Sequence, residues 1–220
     1  ELIRQTPSTV LGSCRHKLAD YRKNTAEYEN IVNTLERHNI GAFFYIGGND
    51  SMDTVAKLSQ FAANHDYEMK VVGVPKTGDN DLAATDHTPG FGSAAKYIAV
   101  TTQEILRDCA VYRIPAVTII EIMGRDAGWL TASAGLPALV GRPAPDYIYL
   151  PERPFDYQQF FADVEAALKR HPNVVIAVSE GIRHADGHYV GEGSQAGAVD
   201  IFGHAYGSFV MELASDENVG

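Results

Sequence analysis

Ala42-Phe43-Phe44-Tyr45-Ile46-Gly47-Gly48-Asn49-Asp50-Ser51 is the stretch from which the fold is read. Five apolar residues form a buried strand. Two glycines then break it, and Ser51 to Asn64 follows with Met52, Val55, Leu58 and Phe61 near one face of a helix. The next apolar run, Lys70 to Val74, is a second strand, and it ends in Pro75-Lys76-Thr77-Gly78-Asp79-Asn80-Asp81. Strand, helix and strand make a compact unit with a right-handed crossover. Two adjacent parallel strands put both polar loops at one edge of one sheet, which is where open α/β sheets bind ligands. Glycine backbone for a phosphate, carboxylates for a divalent cation or a base, and one lysine for anionic charge together suit phosphoryl transfer.

The alternation continues on either side. Upstream, Pro7 to Lys17 is turn-rich and Asn24 to His38 is a helix, with Tyr28, Ile31, Val32 and Leu35 at helical spacing. Downstream, Phe91 to Ala110 is a long amphipathic helix carrying Ala94, Ala95, Ile98, Ile105, Leu106 and Cys109 on one stripe. The strands are Ala116 to Ile122, Tyr147 to Leu150 and Asn173 to Val178. The helices are Asp126 to Ala134, Tyr157 to Arg170 and a last one over Gly197 to Ala214. Such alternation predicts an α/β fold of mostly parallel sheets with helices on both faces.

Composition narrows the function. The 220 residues, 45% of them hydrophobic, suffice for one large domain or two small ones. No run of about 18 apolar residues indicates a membrane span. No secretory pattern opens the chain, which starts at Glu1 without a Met. A net charge of −10 argues against general nucleic-acid binding. Cys14 and Cys109 form no CxxC pattern, and two cysteines fit a reduced, cytoplasmic protein. The histidines show no metal-ligand spacing.

Each polar loop has two readings. Gly47-Gly48-Asn49-Asp50-Ser51 can let a phosphate approach the backbone at a helix N-terminus, or it is a turn with Asp50 or Ser51 capping the helix. Asp50 would repel an extended polyphosphate. Asp79 and Asp81 can divide the work of base and metal ligand, with Lys76 neutralising a phosphate; alternatively Gly-Asp-Asn is ordinary turn chemistry. Ile122-Met123-Gly124-Arg125-Asp126-Ala127-Gly128-Trp129 follows a strand and belongs on the same edge. There Arg125 can meet a phosphate, or pair with Asp126 on the surface; Trp129 is read as core. Glu180, in Ser179-Glu180-Gly181, can accept from sugar hydroxyls or cap a turn. Arg15 can reach a phosphate or lie solvated.

These segments resemble the phosphofructokinases, most closely their pyrophosphate-dependent branch. The resemblance rests on Tyr45-Ile46-Gly47-Gly48-Asn49-Asp50-Ser51, Val74-Pro75-Lys76-Thr77, Asp79-Asn80-Asp81-Leu82, Thr88-Pro89-Gly90-Phe91-Gly92-Ser93-Ala94-Ala95-Lys96-Tyr97, Glu121-Ile122-Met123-Gly124-Arg125-Asp126-Ala127-Gly128-Trp129-Leu130 and Val178-Ser179-Glu180-Gly181. It runs in order from about Thr6 onward.

The resemblance implies two lobes with the active site in the cleft. A phosphate-donor lobe would span 1–90 and a fructose-6-phosphate lobe 91–220, each incomplete at its outer end, so that the chain reads as the middle of a longer protein. Asp79 would be the general base on the sugar 1-hydroxyl, with Lys76 and Arg125 carrying transition-state charge. Thr77, Gly78, Met123, Gly124 and Glu180 would contact the sugar phosphate. Gly47, Gly48, Asp50, Lys76 and Arg15 would hold the phosphate donor, with Asn49 and Asp81 near Mg²⁺. Glycine stands at the positions of Asp50 and Lys76 in ATP users, so both residues imply pyrophosphate as donor. Gly78 replaces a residue that is commonly isoleucine, and Asn49 one that is usually aspartate. The implied partners are pyrophosphate, fructose 6-phosphate and further copies of the chain in a dimer or tetramer, with no nucleic acid or membrane. Gly78 and Asn49 would also suit a different class of protein, a non-catalytic regulatory subunit that binds sugar phosphate.

Overall fold

The computed structural model describes residues 2–6, 12–13, 16–65 and 67–192. The chain divides into two compact units, residues 1–76 and 77–220. The expected helix over Gly197 to Ala214 lies outside the described residues, as does Arg15.

In the first unit, helices α1 (Leu2–Gln5), α2 (Thr25–Arg37) and α3 (Asn49–Asn64) accompany strands β1 (Ala42–Gly47) and β2 (Lys70–Pro75). The two strands are parallel and in register from Ala42 opposite Lys70 to Gly47 opposite Pro75. Leu18, Tyr28, Val32, Leu58 and Phe61 form the core, with Phe43 and Val71 packed against it from the sheet. Side chains alternate across a strand, so Phe43 and Tyr45 are half-buried while Phe44 and Ile46 are 63% and 66% exposed. The expected buried strand at 42–46 is therefore buried on one face only.

The second unit holds α4 (Phe91–Cys109), β3 (Ala116–Ile122), α5 (Trp129–Ser133), a 3-10 turn (Leu136–Val140), β4 (Tyr147–Tyr149), α6 (Tyr157–Leu168) and β5 (Asn173–Ser179). The strands form a parallel sheet in the order β3-β5-β4. Central β5 is apolar from Val174 to Val178 because helices cover both of its faces. Val174, Ile176 and Val178 meet Phe160 and Ala167 of α6, while Ala177 meets Ala95 of α4 and Leu130 of α5. The buried face of α4 carries Thr102 and Gln103 beside Ala95. Gln103 escapes the apolar stripe seen in the sequence because its amide donates to the carbonyl of Pro143.

Candidate functional site

At the edge of the first sheet, β1 ends in Gly47 and Gly48, and α3 starts at Asn49 with Gly48 as its cap. No side chain caps this helix, which corrects the reading of Asp50 or Ser51 as the cap. Ser51 Oγ lies where a Cβ on residue 47 would have to be, so the turn needs glycine there. The amide of Lys76 donates to the carbonyl of Gly47 at 2.7 Å, and the Lys76 carbonyl borders Gly48. Gly47, Gly48, Asn49, Asp50 and Lys76 thus share one edge at the N-terminus of a 16-residue helix. The free amides and the dipole of such a helix end attract anions. Asp50 is exposed and forms a loose ion pair with Lys17 at 3.6 Å, an arrangement worth little in water. Lys76 is exposed.

The second loop begins the second unit. Thr77 and Asp79 are tied by a bond from the Asp79 amide to Thr77 Oγ1, 3.1 Å. Asn80 holds the remainder. Its φ of 60° turns the chain, its Oδ1 accepts from the amide of Thr88 at 2.8 Å, and its Nδ2 donates to the carbonyl of Asp86 at 3.0 Å. Thr88 Oγ1 donates in turn to the carbonyl of Thr77 at 2.6 Å. Asp79 and Asp81, either side of Asn80, are both half-buried. Space is open where a Cβ on Gly78 would sit. The outer side of this loop forms a cavity of about 470 Å³ with Phe91, His87 and Trp129. Trp129 is 57% exposed, contrary to the expectation that it is core.

Arg125 and Glu180 come together at the ends of β3 and β5, where Ile122 faces Ser179. This edge belongs to the second sheet, so the expectation that the Arg125 loop shares an edge with the first two loops is corrected: β3 pairs with β5, whereas β1 and β2 pair only with each other among the described residues. Glu180 Oε1 accepts from the amide of Gly124 at 3.0 Å, a charge-assisted bond. Ser179 Oγ donates to the Gly124 carbonyl at 2.8 Å and accepts from the Gly181 amide at 3.0 Å. Gly181 lies so close under Arg125 that a Cβ would overlap the Arg125 carbonyl oxygen. Met123 and Arg125 are exposed on the loop so formed, while Gly124 is buried.

Two contributors were not read from the sequence. Glu152 Oε1 accepts from the Gly128 amide at 2.7 Å and fixes the far end of the Arg125 loop. A hairpin turns at Asp186-Gly187, where Gly187 has φ 91°, and pairs Arg183 with Tyr189. The Asp-Gly dipeptide is a recognisable hairpin signal.

No group of three or more metal-ligating side chains occurs among the described residues. Two carboxylates on one loop, Asp79 and Asp81, suit a divalent cation that takes its other ligands from water and phosphate oxygens, the usual habit of Mg²⁺. Asn49 offers a neutral amide at a helix N-terminus, where the dipole disfavours a cation.

Parallel sheets with glycine-bearing loops, carboxylates and an arginine beyond the carboxyl ends of their strands define the class of this chain as α/β. The chain belongs to the phosphofructokinase family, whose model matches residues 1–216. It is 47% identical over 205 residues to a pyrophosphate–fructose 6-phosphate 1-phosphotransferase of Xanthomonas campestris, covering 92% of this chain and 49% of that one. A protein of the same name from Methylococcus capsulatus is 43% identical over 216 residues, 97% of this chain and 51% of that one. The crystal structure of a pyrophosphate-dependent phosphofructokinase from Nitrosospira multiformis matches with a TM-score of 0.72 and 44% identity, over 84% of this chain and 46% of that one. The chain spans about half the length of the curated relatives it matches. Among the described residues no helix is long and apolar enough to cross a membrane.

Proposed function

We propose that this protein transfers a phosphoryl group from pyrophosphate to O1 of fructose 6-phosphate, giving fructose 1,6-bisphosphate and phosphate. The observation that carries the reading is the presence of both Asp50 and Lys76 at the Gly47-Gly48 edge, in a chain nearly half identical to relatives named for this reaction. Asp50 places a carboxylate where an extended nucleotide would need neutral backbone. Lys76 supplies a cation that a compact diphosphate can pair with.

In this mechanism Asp79 accepts the proton of the attacking 1-hydroxyl. Thr77 holds the Asp79 amide, and Asn80 fixes the loop behind it. Lys76 and Arg125 take up negative charge as the phosphoryl group passes. Met123, Gly124 and Glu180 face the sugar phosphate, Glu180 with the oxygen that does not hold Gly124. Asp81 and Asn49 are the residues proposed to hold Mg²⁺, which when bound would neutralise phosphoryl oxygens. Positioning and preorganised charge supply most of the acceleration in reactions of this kind. The protein would act in the cytoplasm as a homo-oligomer, on a reaction that runs in both directions because phosphoryl transfer from pyrophosphate is nearly balanced in energy.

The test is fructose 1,6-bisphosphate formation by the full-length gene product, with pyrophosphate and ATP offered in parallel. Turnover with pyrophosphate alone is expected. Turnover mainly with ATP would break the Asp50/Lys76 account of donor choice. Binding of fructose 6-phosphate without any turnover would move the protein to the non-catalytic class.

A further inference from the structure

Arg125 is followed directly by Asp126, and both are exposed. A carboxylate next to an arginine in the chain is a ready partner for it, and such a pairing would cancel the charge that a phosphate needs. The structure holds Asp126 elsewhere. Its Oδ1 is paired with the guanidinium of Arg183 and accepts from the Tyr189 hydroxyl at 3.1 Å. Arg183 also donates to that hydroxyl at 2.7 Å. Arg125 makes no ion pair among the described residues; its guanidinium lies 5.8 Å from the centroid of the Tyr189 ring, with Arg183 at 4.3 Å from the same centroid.

The hairpin makes this arrangement stiff. Arg183 and Tyr189 face each other across it. The Phe155 amide donates to the Arg183 carbonyl at 2.7 Å, and the Val190 amide to the Ile182 carbonyl at 3.0 Å. Ile182 and Val190 are both buried in the α6 core. The hairpin therefore cannot shift without disturbing that core.

We infer that Arg183 is a positioning residue: by occupying Asp126 it leaves the positive charge of Arg125 free for a phosphorylated ligand, while Tyr189 gives both guanidinium groups a face to rest on. This inference rests on the proposed role of Arg125 in binding sugar phosphate. An arginine suits the task because one terminal nitrogen carries two N–H donors, which meet the Asp126 carboxylate and the Tyr189 phenol at once. Burial, and then the hydrogen bond to Asp126, push the Tyr189 hydroxyl above its ordinary range, so it stays protonated as the bridge between them.

Arg183→Met in the full-length protein tests this. Asp126, released, should turn to Arg125 and lower kcat/KM for fructose 6-phosphate about tenfold, the equivalent of about 1.4 kcal/mol. Two further readouts separate charge competition from simple loss of structure. Arg183→Met/Asp126→Asn should recover most of the loss, because the competing carboxylate is gone. The Arg183→Met defect should also shrink at high salt, since the new pair would be exposed and screened. Arg183→Gln gives the same comparison if the methionine variant does not fold. A kcat/KM equal to wild type in the single variant, or no recovery in the double variant, would overturn the inference alone. A wild-type protein that neither turns over nor binds fructose 6-phosphate would overturn the proposed function and this inference with it.

Discussion

A methyl group on Gly181 would overlap the carbonyl oxygen of Arg125, so the chain can pass under the Arg125 loop only if residue 181 lacks a Cβ. Gly181→Ala should force the loop off its Glu180 and Ser179 anchors and destabilise the protein by about 1–3 kcal/mol, the usual range for overpacking. Thermal unfolding reads the loss, and it should be accompanied by a higher KM for sugar phosphate. Gly78 behaves in the opposite way. Space is open at its Cβ position, and glycine keeps more backbone freedom than any other residue, at about 0.5–1 kcal/mol relative to alanine in regular structure. Gly78→Ile should stiffen the backbone before Asp79 and raise kcat; an unchanged or lower kcat refutes the idea that glycine loosens the base. At Asp79 itself, replacement by serine removes the proposed proton acceptor, and kcat should fall by about 10²–10⁴. A near-normal rate in that variant would rule out Asp79 as the base.

Among elements, the 77–90 loop is held by one side chain to an unusual degree. Asn80 spans it with two hydrogen bonds and adopts a left-handed conformation that asparagine tolerates. Asn80→Ala leaves the Thr88 amide and the Asp86 carbonyl without this partner and strains the backbone. It should lower kcat more than it raises KM, because it acts on Asp79 and Asp81 without removing either. A loss confined to stability, with kcat intact in the folded fraction, would show that the loop is not what sets the aspartates. The value of the loop could not be seen from its composition, since Gly-Asp-Asn reads equally well as a plain turn; the return bonds come from Asp86 and Thr88, several residues on. Strands and helices were legible because their periodicity is local: Thr25–Arg37, Asn49–Asn64 and Asn173–Ser179 lie within a residue or two of their expected bounds. The sheet to which the Arg125 loop belongs was not legible, since pairing of β3 with β5 joins residues more than fifty positions apart. The burial of Trp129 was also misjudged, because its size suggested the core whereas α5 turns it outward beside the 80–87 loop. The Arg183–Tyr189 hairpin had a signal in Asp186-Gly187 that its short flanking runs made easy to pass over.

At the scale of the whole molecule, the first unit carries an apolar face that nothing covers among the described residues: Phe44 and Ile46 on β1 stand beside Val72 and Val74 on β2. Contiguous exposed apolar surface of this kind binds hydrophobic dyes. Phe44→Thr with Ile46→Thr puts strand-favouring β-branched residues at both positions and should cut dye fluorescence of this chain without lowering its unfolding temperature. In the second unit the phenol of Tyr149 sits among Phe155 and Phe160 and donates to Asp163 at 2.7 Å. Burial first, and the Asp163 carboxylate second, push its pKa far above the ordinary value. The folded state therefore favours the protonated phenol. An unfolded tyrosine ionises near pH ~10, so the contribution of Tyr149 is whole below that pH and declines as pH rises toward the higher folded value. Tyr149→Phe removes both the hydrogen bond and the titration. At pH 8 the variant should be less stable than wild type by about 1 kcal/mol, the net worth of a typical hydrogen bond. Between pH 10 and 11 the gap should narrow, because only wild type loses stability through this group. Denaturant unfolding of both proteins across that range measures it, and a gap that stays constant from pH 8 to 11 would mean that the phenol ionises no more readily in the unfolded chain than in the fold.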